Sequence, residues 1–141
     1  MTAPIADLPR APWSKPIRRP DRTTITIAPV VRHNNPHDAT SRYADIFWLP
    51  ILGGDALALI RWASHQTRPI TLTETQLATA LGAHGIGQIR KAIETVHNKK
   101  LATINGTTIH VDITLPNLTH IQAERFGPVF AQRHRHALQD V

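Results

Sequence analysis

Apolar residues recur at helical spacing in two segments in the middle of the chain. Residues three and four apart lie on the same face of an α-helix, so each repeat indicates one buried stripe. The first stripe consists of Ala56, Leu59, Ile60 and Ala63. The second consists of Ile86, Ile89, Ile93 and Val96, with Ala92 at its border. The pattern predicts helices from Gly54 to about Gln66 and from about Ile86 to Asn98.

A shorter helix is predicted between these two, after a β-prone segment at residues 70–72. Thr73 and Gln76 have the spacing of a capping box, in which each side chain accepts a bond from the other residue's backbone N–H. Gly82 stands where helices commonly end in a left-handed residue. We therefore expect a helix over residues 74–81 and a turn at residues 83–85.

Two strand-like runs follow, at residues 101–104 and 107–113, joined by Asn105-Gly106. Asn-Gly is the strongest short-range hairpin signal, because a type I′ turn needs positive φ at both central residues. With Ile104 and Thr107 flanking the turn, one face of the hairpin is apolar. That face carries Ala102, Ile104, Ile109, Val111 and Ile113. After Pro116, a second capping-box pattern at Thr119 and Gln122 predicts a last helix, which Gly127-Pro128 interrupts.

The first 41 residues are rich in proline and basic residues and are predicted to form a flexible arm. Thr23 to Val31 alternates polar and apolar residues and could add a strand to a sheet edge, although a flexible linker is the favoured interpretation. The composition becomes apolar near Arg42, which sets the predicted start of a domain over residues 42–141. Tyr43 to Leu52 should form a short helix or turn that stops near Leu49, because the residue before a proline disfavours helix.

Composition narrows the classes of function. The chain has 141 residues, room for one domain, and a net charge of +6, which favours an anionic partner such as nucleic acid over a membrane surface. It has no cysteine, which excludes disulfides, thiolate metal sites and cysteine nucleophiles. No signal peptide or membrane span is predicted, so we expect a soluble, cytoplasmic, nucleoid-associated protein. No catalytic, cofactor-binding or metal-binding motif is present, so we expect no enzyme activity.

In their order, these elements resemble the winged helix-turn-helix superfamily. LTETQLATALG is similar to the positioning helix, HGIGQIRKAIETVHNKK to the recognition helix, and LATINGTTIHVDI to the wing. The resemblance covers roughly residues 54–113, and the AHGIG turn is about one residue longer than is usual. It implies a mostly helical α+β domain with a two-stranded wing, to which the sequence adds a C-terminal helix and the amino-terminal arm.

The resemblance also implies which residues contact DNA. Residues 87–95 would enter the major groove, with Gln88 pairing with adenine and Arg90 or Lys91 contacting guanine or phosphate. An ideal helix places Gln88, Lys91 and Thr95 opposite the apolar stripe. Phosphate contacts are expected from Thr73, Thr75, Lys99 and Lys100. The remaining expected contacts are Gly87, the wing tip at Asn105 and Gly106, and arm residues Arg18, Arg19 and Arg22.

The expected function is sequence-specific binding of double-stranded DNA as a transcriptional regulator. A pseudo-palindromic operator has two half-sites and needs two DNA-binding domains, so we expect a homodimer. The interface candidates are Phe47, Trp48 and the final helix. Two alternatives stay open. The domain could be a protein-interaction module that uses Trp13 or Tyr43 to Leu52, or an accessory DNA-binding factor in replication, plasmid maintenance or recombination.

Overall fold

A four-stranded sheet with an amino-terminal strand in its interior organises the fold. The computed structural model describes residues 24–139. Strand β1 (Thr24–Val30) pairs antiparallel with β3 (Ile70–Thr73) and parallel with β5 (Thr108–Asp112). Strand β4 (Ala102–Asn105) pairs with β5 and completes the order β3-β1-β5-β4. A separate two-stranded sheet joins β2 (His37–Asp38) to β6 (Thr114–Leu115).

Strand β1 corrects the predicted extent of the flexible arm. Residues 24–41 belong to the folded domain, since Ile27 is fully buried and the Ile113 N–H donates to the Val30 carbonyl over 2.9 Å. The alternation of threonine and isoleucine was a true strand signal, but β1 has neighbours on both sides and is not an edge strand. Residues 1–23, which include Trp13 and the expected arm contacts, lie outside the described residues.

Seven helical segments lie within residues 24–139. They are α1 (Ala44–Trp48, a π-helical turn), α2 (Leu49–Leu52), α3 (Gly54–Ser64), α4 (Glu74–Leu81), α5 (Ile86–Asn98), α6 (His120–Glu124) and α7 (Pro128–Gln139). Helices α4 and α5 have the predicted boundaries. Together with the β4–β5 hairpin they make a mixed α and β, winged-helix-like fold, as predicted.

Local capping explains where α4 begins and ends. Thr73 Oγ1 accepts from the Gln76 N–H over 3.0 Å, and Gln76 Oε1 accepts from the Thr73 N–H over 2.8 Å, which confirms the predicted capping box. Gly82 has a left-handed φ of 68°, as predicted for the end of the helix. The bond from the Ala83 N–H to the Ala78 carbonyl then turns the chain towards α5.

The prediction that the helix stops near Leu49 is wrong. Leu49 has helical angles, φ −56° and ψ −45°, and α2 continues past Pro50 to Leu52. Proline lacks an N–H, and its ring clashes with the carbonyl four residues earlier in an α-helix. Here the Leu49 N–H bonds to the Ala44 carbonyl five residues back, so the helix is widened just before the proline. This widening lets the helix pass through Pro50.

The wing hairpin turns one residue later than predicted. Ile104 pairs with Ile109 and Asn105 with Thr108, so Gly106 and Thr107 form the loop. Gly106 has φ 63°, whereas Lys100 is the only non-glycine with positive φ among residues 24–139, so the predicted type I′ turn at Asn105-Gly106 is wrong. A positive φ at the first loop residue alone is typical of a type II′ turn. The pairing shifts by an even number of residues, so the apolar face keeps its predicted members.

The core fills the space between the sheet and helices α1 to α5. The predicted stripes of α3 and α5 are buried, except that Ile86 is only half-buried. Phe47 and Trp48, two of the interface candidates, are core residues that are 2% and 1% exposed. Trp48 Nε1 also donates to the Pro116 carbonyl over 2.8 Å, which ties α1 to the chain after the wing. Apolar character alone could not separate a core position from an interface position.

The C-terminal helices dock on α1 through Tyr43. The Leu118 N–H donates to the Tyr43 hydroxyl oxygen over 2.8 Å, and that hydroxyl lies 2.5 Å from His134 Nε2. The His37 ring stacks on the Tyr43 ring with centroids 3.6 Å apart. Because the tyrosine oxygen already accepts from the backbone, its proton is best placed to bond a neutral His134 ring.

This docking should depend on pH. Burial lowers the pKa of His134, and the nearby His37 lowers it further. With a folded-state pKa below the ordinary 6.5, the stabilisation is complete above about pH 6.5 and is lost as pH falls through the folded pKa. We expect the Tm to fall between about pH 7.5 and 5.5, and to fall less in His134→Gln. Thermal unfolding followed by circular dichroism tests this, and equal falls in both proteins would contradict it.

Candidate nucleic-acid interface

The outward face of α5 differs from the predicted face. Ala92, placed at the border of the apolar stripe by the sequence pattern, is fully buried in the core. The buried side is therefore rotated towards Ala92, and Gln88 and Thr95 become half-buried edge positions. Four of the five exposed residues of α5 lie on one line down the helix, which we call the outward stripe. It consists of Gly87, Lys91, Glu94 and Asn98. The fifth, His97, lies to one side, with its Nδ1 3.2 Å from the Ala102 carbonyl oxygen.

Arg90 lies against α4. Its Nε and Nη2 donate to the two oxygens of Glu74 over 2.7 and 2.9 Å, and the Glu74 side chain is only 7% exposed. The bond to Glu74 raises the pKa of Arg90. Glu74 sits in the first turn of α4, where the helix dipole favours a carboxylate. Arg90 would have to leave this pair to contact a guanine edge, so the structure does not place it as a reader.

Gln88 also uses both ends of its side chain within the domain. Its Nε2 donates to Asp55 Oδ2 over 2.8 Å, and its Oε1 accepts from the His84 backbone N–H over 2.8 Å. The side chain thus links the start of α3 to the turn between α4 and α5. These two bonds hold the longer AHGIG turn against α3, so the contacts of Gln88 are structural.

The expected phosphate contacts fall into separate groups. Thr73 Oγ1 is occupied by the α4 cap, and Thr95 Oγ1 donates to the Lys91 carbonyl over 2.9 Å. Thr75 is exposed at the start of α4. Lys99 and Lys100 are exposed beyond the end of α5, off the outward stripe.

The end of α5 is a Schellman motif with lysine where glycine is usual. The Leu101 N–H bonds to the Val96 carbonyl over 3.0 Å, and the Lys100 N–H bonds to the His97 carbonyl over 2.9 Å. This geometry gives Lys100 a φ of 62°. A side chain in the left-handed region costs about 1 kcal/mol relative to glycine.

The wing tip is exposed beside α5. Helix α5 contacts β4, and residues 103–107 are all accessible to solvent. Asn105, the last residue of β4, and Gly106, in the loop, are therefore both exposed at the wing tip, although the loop itself is Gly106-Thr107. Ile104 is 43% exposed there and could lie against a sugar or base edge.

Three arginines within residues 24–139 form ion pairs with carboxylates, besides the contact of His120 with Glu124. The three pairs are Arg32–Asp112, Arg61–Asp45 and Arg90–Glu74. Glu94 was not among the predicted contacts, because its outward position depends on the burial of Ala92. Within residues 24–139, no group of three or more metal-ligating side chains is present, and no helix is long and apolar enough to cross a membrane.

Comparison with known proteins adds little to this geometry. No protein-family model matches the chain, and no curated protein matches it. Among solved structures, it is similar to the primosome protein DnaB (residues 1–300) from Geobacillus stearothermophilus. The identity is 16% and the TM-score 0.46, over 82% of this chain and 48% of that chain. The chain thus spans about half of that solved chain, and a likeness at this level bears on neither activity nor partners.

Proposed function

We propose that this protein is a non-enzymatic, sequence-specific binder of double-stranded DNA that reads the major groove with the outward stripe of α5. The observation that supports the proposal is the stripe itself: a polar, exposed line on the second helix of a helix-turn-helix, with a projecting wing beside it. Such a helix fits the width of the major groove. The net charge of +6 favours the approach of a polyanion.

Each member of the stripe has a chemistry that suits a base edge. Lys91 can donate to guanine O6 and N7, Glu94 can accept from the cytosine amino group, and Asn98 can pair with adenine. Gly87 has open space where a side chain would project, so the helix backbone can approach the groove closely. This set replaces Gln88 and Arg90 as the proposed readers, because those two side chains are held by Asp55 and Glu74.

Contacts to the DNA backbone would come from residues on either side of this stripe. Thr75 at the start of α4 and the wing tip at Asn105-Gly106 are exposed and can contact phosphate or the minor groove. A homodimer remains part of the proposal, with contact through α7, where Val129 is 80% exposed. Transcriptional regulation is the role we favour, and an accessory role in replication, plasmid maintenance or recombination would use the same contacts.

Two substitutions on the stripe should change affinity for DNA in opposite directions. Lys91→Ala should weaken binding to a preferred duplex about tenfold and lower the salt slope by about one, because one charge-assisted contact is lost. Glu94→Ala should lower discrimination between preferred and random duplexes at least about fivefold, while non-specific binding tightens because a negative charge has been removed. Fluorescence anisotropy at several salt concentrations, on a duplex selected from a random library, measures both effects.

Arg42→Ala is the matched control, since it removes one exposed positive charge from the segment before α1, outside α5, the wing and α7. We expect it to change affinity by less than about twofold. Equal effects of Arg42→Ala and Lys91→Ala would show that only net charge matters, and would contradict the proposed reading face. A library that yields no preferred duplex would contradict sequence specificity.

A further inference from the structure

A cleft of about 750 Å³ opens on the domain near the end of α5. We call it the basic cleft. One wall is residues 31–35, between β1 and β2, another is residues 99–101, and a third is the segment that leads into α6. Its volume is within the range of sites that hold small organic ligands.

Positive charge comes from two walls of the basic cleft. Arg32 lies on one wall, where its Nε bonds to Asp112 Oδ1 over 3.1 Å while its side chain remains 53% exposed. Lys99 and Lys100 lie on another wall and are both exposed. Asp112 offsets only one of these three cations, so the cleft favours an anion.

The wall formed by residues 31–35 is held in position before any ligand binds. The Arg32 N–H donates to Thr114 Oγ1 over 2.9 Å, and Asn35 Nδ2 donates to the Thr114 carbonyl over 2.9 Å. Trp48, Leu101 and Pro116 supply apolar lining. A preorganised site loses less conformational entropy when it takes up a ligand.

Lys100 connects the cleft to the backbone strain at the end of α5. Glycine would fit the left-handed position with less strain and would keep the same backbone hydrogen bonds. The lysine instead places a cation at the edge of the cleft. Strained positions cluster at ligand sites, where the side chain offsets its conformational cost through function.

We propose that the basic cleft binds a nucleotide-sized ligand through its phosphate, with Lys99 and Lys100 as the phosphate contacts and Arg32 on the facing wall. Polar side chains around the cleft, Asn34, Asn117 and Gln122, can bond to a sugar or base. The phosphate could belong to a free nucleotide or to a single strand of nucleic acid. This site is separate from the outward stripe and does not depend on duplex binding.

The test is a titration of the full-length protein, followed by two-dimensional amide NMR. The probes are orthophosphate, adenosine monophosphate and hexathymidylate. We expect saturable shifts in residues 31–35, 99–101 and 117–122 with at least one nucleotide probe, and at least fivefold weaker binding of that probe by Lys100→Gly. The same variant should have a Tm raised by about 4 °C, because the strain is relieved. Weaker binding by a more stable protein cannot result from unfolding.

Lys91→Ala serves as the control for the outward stripe and should bind the nucleotide probe as the wild type does. Conversely, Lys100→Gly should retain duplex affinity within about twofold. Tighter binding of hexathymidylate than of the monophosphate assigns the phosphate to a strand, and equal binding assigns it to a free nucleotide. The proposal is overturned by unchanged binding in Lys100→Gly, by affinity for orthophosphate equal to that for the nucleotides, or by no shift with any probe. Loss of duplex reading with these cleft shifts intact would count against the proposed function alone.

Discussion

Replacing Arg90 with alanine is expected to lower the free energy of unfolding by about 3–5 kcal/mol. The substitution leaves the Glu74 carboxylate buried without the guanidinium that bonds to both of its oxygens. An unpaired buried charge is much more costly than the loss of a surface ion pair. Urea unfolding followed by circular dichroism measures the change. A loss below about 1 kcal/mol would show that Glu74 is solvated and that the pair has little structural importance.

A double substitution separates stability from DNA reading. Arg90→Met with Glu74→Leu removes both charges, and we expect it to recover most of the stability that Arg90→Ala loses. This folded variant should bind the preferred duplex within about threefold of the wild type, because Arg90 points at α4. If the stability is recovered but affinity for the preferred duplex falls by more than about tenfold, Arg90 would again be a proposed base contact.

A chain that begins at residue 42, the boundary that composition suggests, is expected not to fold. It lacks β1, which pairs with β3 on one side and β5 on the other, and whose Ile27 is fully buried. Without β1, two sheet neighbours lose their backbone partners, and burying unpaired backbone groups is costly. We expect no cooperative thermal transition and little near-ultraviolet circular dichroism from this fragment.

The matched control is a chain that begins at residue 24, which keeps every contact described for the domain. It should unfold cooperatively, with a Tm within a few degrees of that of the full chain. Cooperative unfolding of the fragment that begins at residue 42 would mean that β1 is an accessory strand. An intermediate test in the full chain is Ile27→Ala, which should cost about 2–5 kcal/mol through lost burial and a cavity.

Short-range signals were sufficient to predict α4, the turn after it and α5. The boundaries of α4 and α5 followed from apolar spacing, from the capping box at Thr73 and from Gly82, all of which act within a few residues. The apolar face of the wing was predictable for the same reason. The predicted helix end before Pro50 was wrong, because a π-helical turn, with the Leu49 N–H bonded to the Ala44 carbonyl, leads directly into α2.

Long-range contacts determined what could not be predicted. The parallel pairing of β1 with β5 joins residues about 80 positions apart, and its pattern of threonine and isoleucine also fits an edge strand. The Arg90–Glu74 and Gln88–Asp55 contacts each join two different helices. The spacing of residues within one helix cannot reveal such contacts, so these two side chains were expected to be available to DNA. Glu94 emerged as a proposed reader only after the packing of α5 was known.

The register of β1 determines where residues 1–23 join the domain. Thr24 pairs with Thr73, the cap of α4, so that segment joins the domain beside the start of α4. Its five basic residues, Arg10, Lys15, Arg18, Arg19 and Arg22, are attached at that point. Along the chain, Arg22 is two residues from Thr24, and Arg10 is fourteen residues from it. If DNA phosphate binds near Thr75 as proposed, a positive charge close to Thr24 should therefore contribute more to affinity than the same charge near residue 10.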